Sequence, residues 1–422
     1  MTSHIDPVSR EFDVDHHSEE FWESAPETFA MLREKCPVAH SSQHGGFWML
    51  TTYDTVAEAA RDDDRFSSYR DLDGSRPGYD GVSLPPSRRP TRTGMIELDP
   101  PEFTKYRRLL NASFSPQAVE RLRPRILEIT TAVLDVVIER GECELVKDVA
   151  GPITAAVTMD QLGIPADRGM RYSNTMHDLL SISPTSPGQA AAVAQVEELL
   201  GELREQVRLR RAAPQDDWIS LLVTAEVDGA PIPDDIVVEN AFLLVLGGVD
   251  TTSQLILHSL RYLHQNPELR EDLREHPERL RNACEEFLRY FSPIQWFART
   301  VTRDCEVDGV DLKAGERVLL CWGSGNHDAA HFEDPEVVNI DRSPNRHMAF
   351  GVGVHRCIGS HLARAQFEIV VGEILRRMPD YSVDEGETRP YPDRQVNGLV
   401  RMPASFTPGS REALVATEAG SA

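Results

Sequence analysis

The stretch that decides the fold is FGVGVHRCIG, residues 350–359. Its glycines, Gly351, Gly353 and Gly359, permit turns with positive φ and a close approach of the backbone to a flat ligand. The helical run SHLARAQFEIVVGEIL follows at once, so Cys357 stands where a helix begins. Amide donors and the helix dipole stabilise a thiolate at such a position, and the pattern therefore favours a metal-bound thiolate.

Two other kinds of site could use the same segment. A zinc site could take His355, Cys357 and His361, but no convincing fourth ligand lies nearby in the sequence. A phosphate-binding loop would need GxGxxG or a GK[ST] ending, and neither is present. The remaining cysteines are expected to be small buried hydrophobic residues: Cys36, Cys143, Cys284, Cys305 and Cys321.

Charge and composition narrow the class of protein. The 422 residues include 44 basic and 68 acidic side chains, a formal net charge of −24 that opposes binding to nucleic acid or anionic membranes. The cysteines show no paired spacing, which suits a reducing cytoplasm. The polar N-terminus has no leader-like pattern, and no run of about 18 apolar residues occurs. We therefore expect a cytoplasmic protein that does not enter a membrane.

Most segments have the periodicity of amphipathic helices. Strand signals occur at 45–52 and 299–322, and the second contains Asp308-Gly309, a strong hairpin signal. No alternating series of strands and helices is present. The pattern predicts a mainly α fold with a small β region.

One domain is expected over 1–408, with a disordered tail over 409–422. Two irregular stretches, 69–98 and 181–189, have the character of lids or binding loops.

The longest predicted helix spans 233–265, from Pro233 to the residue before Asn266. At 1.5 Å per residue it would be about 50 Å long. Its middle, AFLLVLGGVDTTSQLIL, is apolar nearly all round and therefore buried. Two glycines and three polar residues interrupt this core, which fits either close helix packing with an internal hydrogen bond or a break that opens a pocket. They are Gly247, Gly248, Asp250, Thr251 and Thr252.

The motifs together resemble the cytochrome P450 family. FGVGVHRCIG is similar to the family's haem-binding loop, FGxGxHxCxG, and GGVDTT at 247–252 is similar to its oxygen-activation motif. Glu286 and Arg289 match the ExxR motif, with Arg342 where the third member of that network is expected. The resemblance runs from about Phe47 to Phe406 and is closest to the soluble bacterial branch. It implies the P450 fold, with haem between the long central helix and the Cys357 helix.

The resemblance also implies roles for single residues. Cys357 would be the axial ligand to the haem iron, and the Glu286–Arg289–Arg342 network would be structural. Proton handling would fall to Asp250, Thr251 and Thr252. The remaining haem contacts would be Arg107, Arg299, His355, Phe350, Gly351 and Gly359. Phe103 stands where the family commonly has a His or Trp propionate partner, so Arg107 should matter more.

The expected substrate pocket is mainly apolar. Helical spacing places Leu243, Leu246, Gly247 and Thr251 on one face, and strand alternation places Gln295, Phe297 and Arg299 on one side. With Val396, these residues suggest a lipophilic molecule with one polar anchor at Gln295. Five arginines of 69–98 also allow a carboxylate-bearing substrate, although a solvated loop is the simpler interpretation: Arg70, Arg76, Arg88, Arg89 and Arg92.

The reaction implied by the resemblance is insertion of one oxygen atom into a small organic substrate. Haem b and dioxygen would be required, with electrons ultimately from NAD(P)H through an acidic ferredoxin or flavodoxin. A thiolate ligand favours O–O cleavage. A peroxygenase or a non-catalytic haem sensor would not need the Asp250-Thr251 pair. Five arginines are expected near the docking face for the redox partner: Arg107, Arg108, Arg346, Arg356 and Arg364.

Overall fold

The computed structural model describes residues 10–87, 89, 91–165, 168–182, 186–392 and 395–412. The α-helices of these residues are α1 (Glu19–Glu23), α2 (Ala25–Lys35), α3 (Tyr53–Arg61), α4 (Glu102–Asn111), α5 (Pro116–Val137), α6 (Gly151–Leu162), α7 (Gly169–Ser181), α8 (Gln189–Ala212), α9 (Trp218–Thr224), α10 (Asp234–Gln265), α11 (Pro267–Glu275), α12 (Leu280–Phe291), α13 (Trp322–Gly325) and α14 (Ser360–Arg377). A π-helical segment, Leu145–Ala150, leads into α6.

The strands are short and few residues belong to them. They are β1 (Val38–Ser41), β2 (Phe47–Leu50), β3 (Phe66–Ser67), β4 (Glu142–Glu144), β5 (Glu226–Val227), β6 (Ala230–Pro231), β7 (Phe297–Val301), β8 (Cys305–Val307), β9 (Val310–Leu312), β10 (Arg317–Leu320), β11 (Ser382–Val383), β12 (Arg389–Pro390), β13 (Leu399–Arg401) and β14 (Pro403–Ser405). The largest sheet has the order β1-β2-β10-β7-β3, in which only β2 and β10 run parallel. The predicted mainly α fold with a small β region is confirmed.

The hairpin predicted at Asp308-Gly309 joins β8 to β9. Asp308 has φ 50° and Gly309 has φ 73°, and two successive positive φ values are what a two-residue hairpin turn with the right-handed strand twist requires.

Helix α10 forms the centre of the molecule. It begins after Pro233 and ends before Asn266, as the sequence predicted. The predicted break within it is wrong, because α10 is helical throughout. Extra hydrogen bonds satisfy backbone carbonyls there instead: the Thr251 hydroxyl donates to Gly247 O at 2.8 Å, and the Thr154 hydroxyl of α6 donates to Val249 O at 2.7 Å. Two threonine hydroxyls thus donate to carbonyls of the glycine-containing turn without interrupting the helix.

Among the described residues, only α10 is long and apolar enough to cross a membrane. Of its most apolar window, 67% is buried inside the protein, as in the core helix of a soluble protein. The length of this helix is therefore explained by the core that it forms.

The C-terminal segment contacts the body of the protein further than expected. Residues 409–412, assigned to the tail, are hydrogen-bonded: Gly409 N donates to Ile138 O at 2.9 Å, and Glu412 pairs with Arg376. Residues 413–422 lie outside the described part of the chain.

The arginines of the 69–98 stretch hold that stretch together. Arg70 donates to three backbone carbonyls, including Thr91 O, and Arg76 pairs with Asp99 at 2.9 Å. The interpretation as a solvated charged loop is therefore wrong for Arg70, which is buried, whereas the side chain of Arg76 is 44% exposed. Arg88, like residues 183–185 of the second irregular stretch, lies outside the described residues.

Candidate active site

A cavity of about 1050 Å³ lies between α10 and the segment that leads into α14. Its walls are mostly apolar, with cationic side chains on one part of the wall. Most of the residues singled out from the sequence line it: Cys357, Arg107, Arg299, His355, Phe350, Gly351, Gly359, Thr251, Thr252, Leu243, Leu246, Gly247, Phe297 and Val396. The structure therefore brings together residues from five separate parts of the chain.

Cys357 is presented to this cavity by a tight turn. Cys357 N donates to Phe350 O at 2.8 Å, and Gly351 and Gly353 have φ of 68° and 75°. A Cβ on Gly353 would collide with the backbone of Ala60. Only glycine satisfies both conditions at residue 353, which explains its place in the motif.

The thiol of Cys357 faces opposing electrostatic effects. Cys357 is exposed, yet desolvation by the surrounding protein raises the pKa of its thiol and outweighs the Gly359 amide and the charges of Arg107, Arg356 and Arg364, which lower it. A bound metal cation would reverse that balance, because coordination deprotonates a thiol. His361 is exposed on α14, and the zinc alternative finds no metal-ligand cluster at this turn among the described residues.

Three basic side chains at the cavity wall form no ion pairs with other described residues. Arg299 is buried and donates to Ala298 O, and burial lowers its pKa to about 10. Both ring nitrogens of His355 are buried without a hydrogen-bond partner among the described residues. Arg107 makes no ion pair in the described part of the chain, and its guanidinium lies 5.8 Å from the Phe103 ring. Buried donors without acceptors are costly, so this wall fits an anionic ligand group.

Phe103 stands at the position where the family resemblance implied a His or Trp donor to a haem propionate. Its ring packs against the His355 ring, with centroids 4.2 Å apart. A hydrophobic contact thus replaces a hydrogen-bond donor and orients the neighbouring imidazole.

Glu286, Arg289 and Arg342 form one buried network. The Glu286 carboxylate accepts from Arg289 at 2.8 and 2.9 Å and from Arg342 Nε at 3.1 and 3.2 Å. Asn339 N and Asn345 Nδ2 complete its shell at 2.9 Å each. Arg289 also donates to the carbonyls of Asn326, Pro335 and Val337. The network therefore ties α12 to the irregular segment that precedes Cys357.

Asp250 is next to Thr251 in sequence but points away from the cavity. Its carboxylate is 3% exposed and accepts from the Tyr391 hydroxyl at 3.0 and 3.2 Å. Tyr391 is in turn 2.8 Å from His177 Nδ1. Burial raises the pKa of Asp250, opposed by His177 and by the hydrogen bonds of Tyr391 and Gln254. The structure thus adds Tyr391 and His177, which no local sequence signal marked.

Gln295 does not line the cavity, and the expected polar anchor there is wrong. Its amide donates to Phe291 O at 3.1 Å and to Ser292 O at 2.6 Å, which caps the end of α12. The strand alternation assumed at 295 fails because β7 begins only at Phe297.

Arg89 is a cavity residue that the sequence marked only as part of a charged loop. Its side chain donates to Ser87 and Thr93, but its Nη1 is buried without a partner among the described residues. Burial lowers its pKa. This guanidinium therefore has an unused donor at the cavity wall.

The arginines proposed for docking divide into two groups. Arg364 is paired with Glu285 at 2.5 and 2.8 Å, and its guanidinium covers the Phe350 ring. Burial raises the pKa of Glu285, but hydrogen bonds from Arg364 and His347 lower it to about 2. Arg364 is therefore not a free docking charge, whereas three exposed arginines make no ion pair within the described residues: Arg108, Arg346 and Arg356.

Comparisons with family models and with curated proteins identify the same family. A family model for cytochrome P450 matches residues 169–407. A steroid C26-monooxygenase of Mycobacterium tuberculosis is 34% identical over 403 residues, which cover 94% of this chain and 98% of the relative. The chain belongs to the cytochrome P450 family and is a monooxygenase of the oxidoreductase class.

Solved structures of other cytochromes P450 support the same family assignment. A Mycobacterium marinum cytochrome P450 in complex with pseudoionone has a TM-score of 0.85 at 29% identity, covering 93% of this chain and 98% of that chain. A Bacillus megaterium cytochrome P450 in complex with testosterone has a TM-score of 0.82 at 30% identity, covering 92% and 100%. The predicted P450 fold is thus confirmed.

Haem, which this family implies, fits the residues present. A thiol at the end of a glycine turn, mostly apolar walls and the three basic side chains Arg107, Arg299 and His355 match the iron, the ring and the propionates of haem.

Proposed function

We propose that the protein is a cytoplasmic, haem b-dependent monooxygenase that inserts one atom of dioxygen into a small, mainly lipophilic substrate. Electrons would come from NAD(P)H through an acidic ferredoxin or flavodoxin. The observation that carries the proposal is the convergence of Cys357 with Arg107, Arg299 and His355 on one apolar cavity. A lipophilic substrate is supported by the mostly apolar lining of this cavity, whose volume of about 1050 Å³ the haem would share with the substrate.

Each residue has a proposed task at the bound haem. Cys357 Sγ would hold the iron, and the Gly359 amide and nearby arginines would stabilise its negative charge. Arg107, Arg299 and His355 would bind the propionates through their unused donors. Phe350, Gly351 and Gly359 would shape the proximal surface. When bound, haem with a thiolate ligand supplies dioxygen activation and O–O cleavage.

Proton supply is proposed to use both faces of α10. On the cavity side, the hydroxyls of Thr251 and Thr252 would position water and dioxygen. On the far side, His177 and Tyr391 form a hydrogen-bonded line to Asp250 Oδ1. Rotation of the Asp250 side chain would carry a proton from this line to the cavity. Its raised pKa suits that task, because a carboxyl group that titrates nearer neutrality both takes and gives protons.

The polar anchor for a substrate is proposed at Arg89. Arg89 contributes to the cavity wall, and a rotation of its side chain would bring the buried, unpartnered Nη1 to a carboxylate, a carbonyl or a hydroxyl of the substrate. This supports a lipophilic substrate with one oxygen-bearing end.

Reconstitution tests the proposal. The purified protein, a surrogate ferredoxin with its reductase, and NADPH are combined with lipophilic compounds that shift the Soret band. We expect substrate-dependent NADPH consumption and a product heavier by one oxygen atom. Turnover with hydrogen peroxide alone and none with the reductase system would show a peroxygenase instead. Haem binding without either turnover would show a sensor.

A further inference from the structure

Three histidines meet in the N-terminal part of the molecule, away from Cys357. They are His16 and His17, from the segment before α1, and His44, from the turn between β1 and β2. One ring nitrogen of each lies within 4.8 Å of one from each of the others. The ring centroids are 4.1 Å apart for His16 and His17, and 5.2 Å from each of these to His44.

An oxygen acceptor lies at one nitrogen of each ring. His16 Nε2 and His17 Nε2 both lie within hydrogen-bond distance of Leu84 O, and a carbonyl only accepts. His44 Nε2 lies 2.7 Å from Asp15 Oδ1. The neutral rings of His16 and His44 therefore carry the proton on Nε2 and a lone pair on Nδ1. This is the arrangement of metal-binding histidines, whose second nitrogen donates to a carbonyl or carboxylate.

The surroundings of the rings supply two orphaned polar atoms. His16 is buried and its Nδ1 has no hydrogen-bond partner among the described residues. The Trp296 ring packs against His16 with centroids 4.7 Å apart, and its buried Nε1 also lacks a partner in the described part of the chain. A lone pair and an N–H buried without partners are each costly in this apolar layer.

We propose that His16, His17 and His44 form a binding site for a divalent transition metal of the zinc type. Three neutral imidazoles are the ligand set that suits Zn²⁺, with a water as the fourth ligand. Nitrogen ligands at 2.0–2.1 Å in a tetrahedron are about 3.3 Å apart, so small side-chain rotations close the site from its present spacing. The Trp296 N–H would donate to the bound water.

The metal would act as a structural clamp. It would fasten the N-terminal segment to the β1–β2 turn, and through Leu84 to a segment whose residues line the cavity. His17 itself contributes to that lining. Metal binding would therefore stabilise one wall of the substrate cavity, independently of the haem.

The test uses untagged, haem-loaded protein, because a polyhistidine tag would bind the same metal. After treatment with a chelator and dialysis against Zn²⁺, zinc and iron are measured in one sample. We expect about one zinc per chain beside the haem iron. Zinc-edge X-ray absorption should show nitrogen ligands at about 2.0–2.1 Å.

Matched variants locate the site. His44→Asn removes the imidazole, and Asn tolerates the positive φ of 51° at this position. His40→Asn is the control, because His40 pairs with Glu11 in the same region but lies outside the cluster. Zinc should be lost in the first variant and kept in the second, and Asp15→Asn should weaken zinc binding about 10- to 100-fold.

Three results would overturn the proposal: no zinc above the buffer level, full zinc retention by His44→Asn, or equal loss in both variants. The ferrous carbon monoxide spectrum of each variant reports on the haem separately, so failure of the zinc site is distinguishable from failure of the oxidase.

Discussion

Two buried carboxylates in this molecule have opposite surroundings. Glu286 is 0% exposed and accepts hydrogen bonds from two arginines, an asparagine side chain and a backbone amide. Asp250 is 3% exposed, yet its donors are one tyrosine hydroxyl and a glutamine amide at 3.4 Å, with a histidine nitrogen 3.9 Å away. Two arginines compensate the charge of Glu286, whereas the hydrogen-bond donors to Asp250 are neutral groups.

The different surroundings of the two carboxylates indicate different roles, one structural and one chemical. A buried charge with a full set of charged donors is stable in one protonation state and stabilises one conformation. A buried carboxyl group with neutral donors has a raised pKa and exchanges protons more readily. The comparison therefore supports the proposed roles of Glu286 in the architecture behind Cys357 and of Asp250 in proton transfer.

The largest effect is expected for Glu286→Gln. The change leaves Arg289 and Arg342 without their anion, and breaking a buried pair in this way typically costs about 3–5 kcal/mol. We expect little folded holoprotein, measured by thermal unfolding and by the haem content of purified protein. Glu278→Gln is the control, since that side chain is 71% exposed. Normal haem content in Glu286→Gln would contradict the structural role proposed for Glu286.

Asp250→Asn should affect activity and not stability: it should slow turnover while leaving the fold intact. General acid catalysis typically contributes about 10²–10⁴-fold, and the amide cannot carry the proton. Substrate affinity, measured by Soret titration, should barely change. A variant that loses binding as much as turnover would contradict the proton-transfer role.

The pH dependence of stability sharpens this prediction. Because burial raises the pKa of Asp250, its contribution to stability is complete below the ordinary pKa and is lost as pH rises through the raised value. The Asn variant lacks this loss. Above that range it should therefore be at least as stable as the wild type in thermal unfolding.

Thr251→Ala should have an intermediate effect, because it removes a hydroxyl on the cavity side of α10. We expect oxygen consumption to continue while more of the NADPH ends as hydrogen peroxide. The ratio of product to NADPH consumed is the measurement, with Thr252→Ala as the comparison. Unchanged coupling in Thr251→Ala with loss in Thr252→Ala would move the role to the second threonine.

The smallest effect is expected for Tyr391→Phe, which interrupts the line from His177 to Asp250. Tyr381→Phe is the control, because its hydroxyl is also buried but donates to Leu260 O and not to this line. Only Tyr391→Phe should change the solvent isotope effect on turnover. Equal isotope effects in both variants would mean that protons reach Asp250 by another path.

Local sequence patterns predicted the parts of the site that depend on local geometry. The turn at Cys357, the caps of α10 and the Asp308-Gly309 hairpin follow from glycine, proline and short-range spacing, and motif resemblance supplied Arg342. Tyr391 and His177 could not be predicted in this way, because each reaches its partners by long-range packing. The place of Arg89 on the cavity wall also depends on long-range packing, although its hydrogen-bond partners Ser87 and Thr93 are local. Gln295 was misassigned because the chain caps α12 before the strand begins.

The adjacent pair His16-His17 was a visible signal whose meaning depended on a third residue. His44 lies 27 positions further along the chain than His17, and only the packing of the N-terminal segment against β1 and β2 brings them together.

The most direct measurement is the absorption spectrum of the ferrous carbon monoxide complex. Sulfur donation from Cys357 should give the strongly red-shifted Soret band of a thiolate-ligated haem, and Cys357→His should abolish that band. A wild-type spectrum like that of a histidine-ligated globin would contradict the assignment of Cys357 as the ligand to iron.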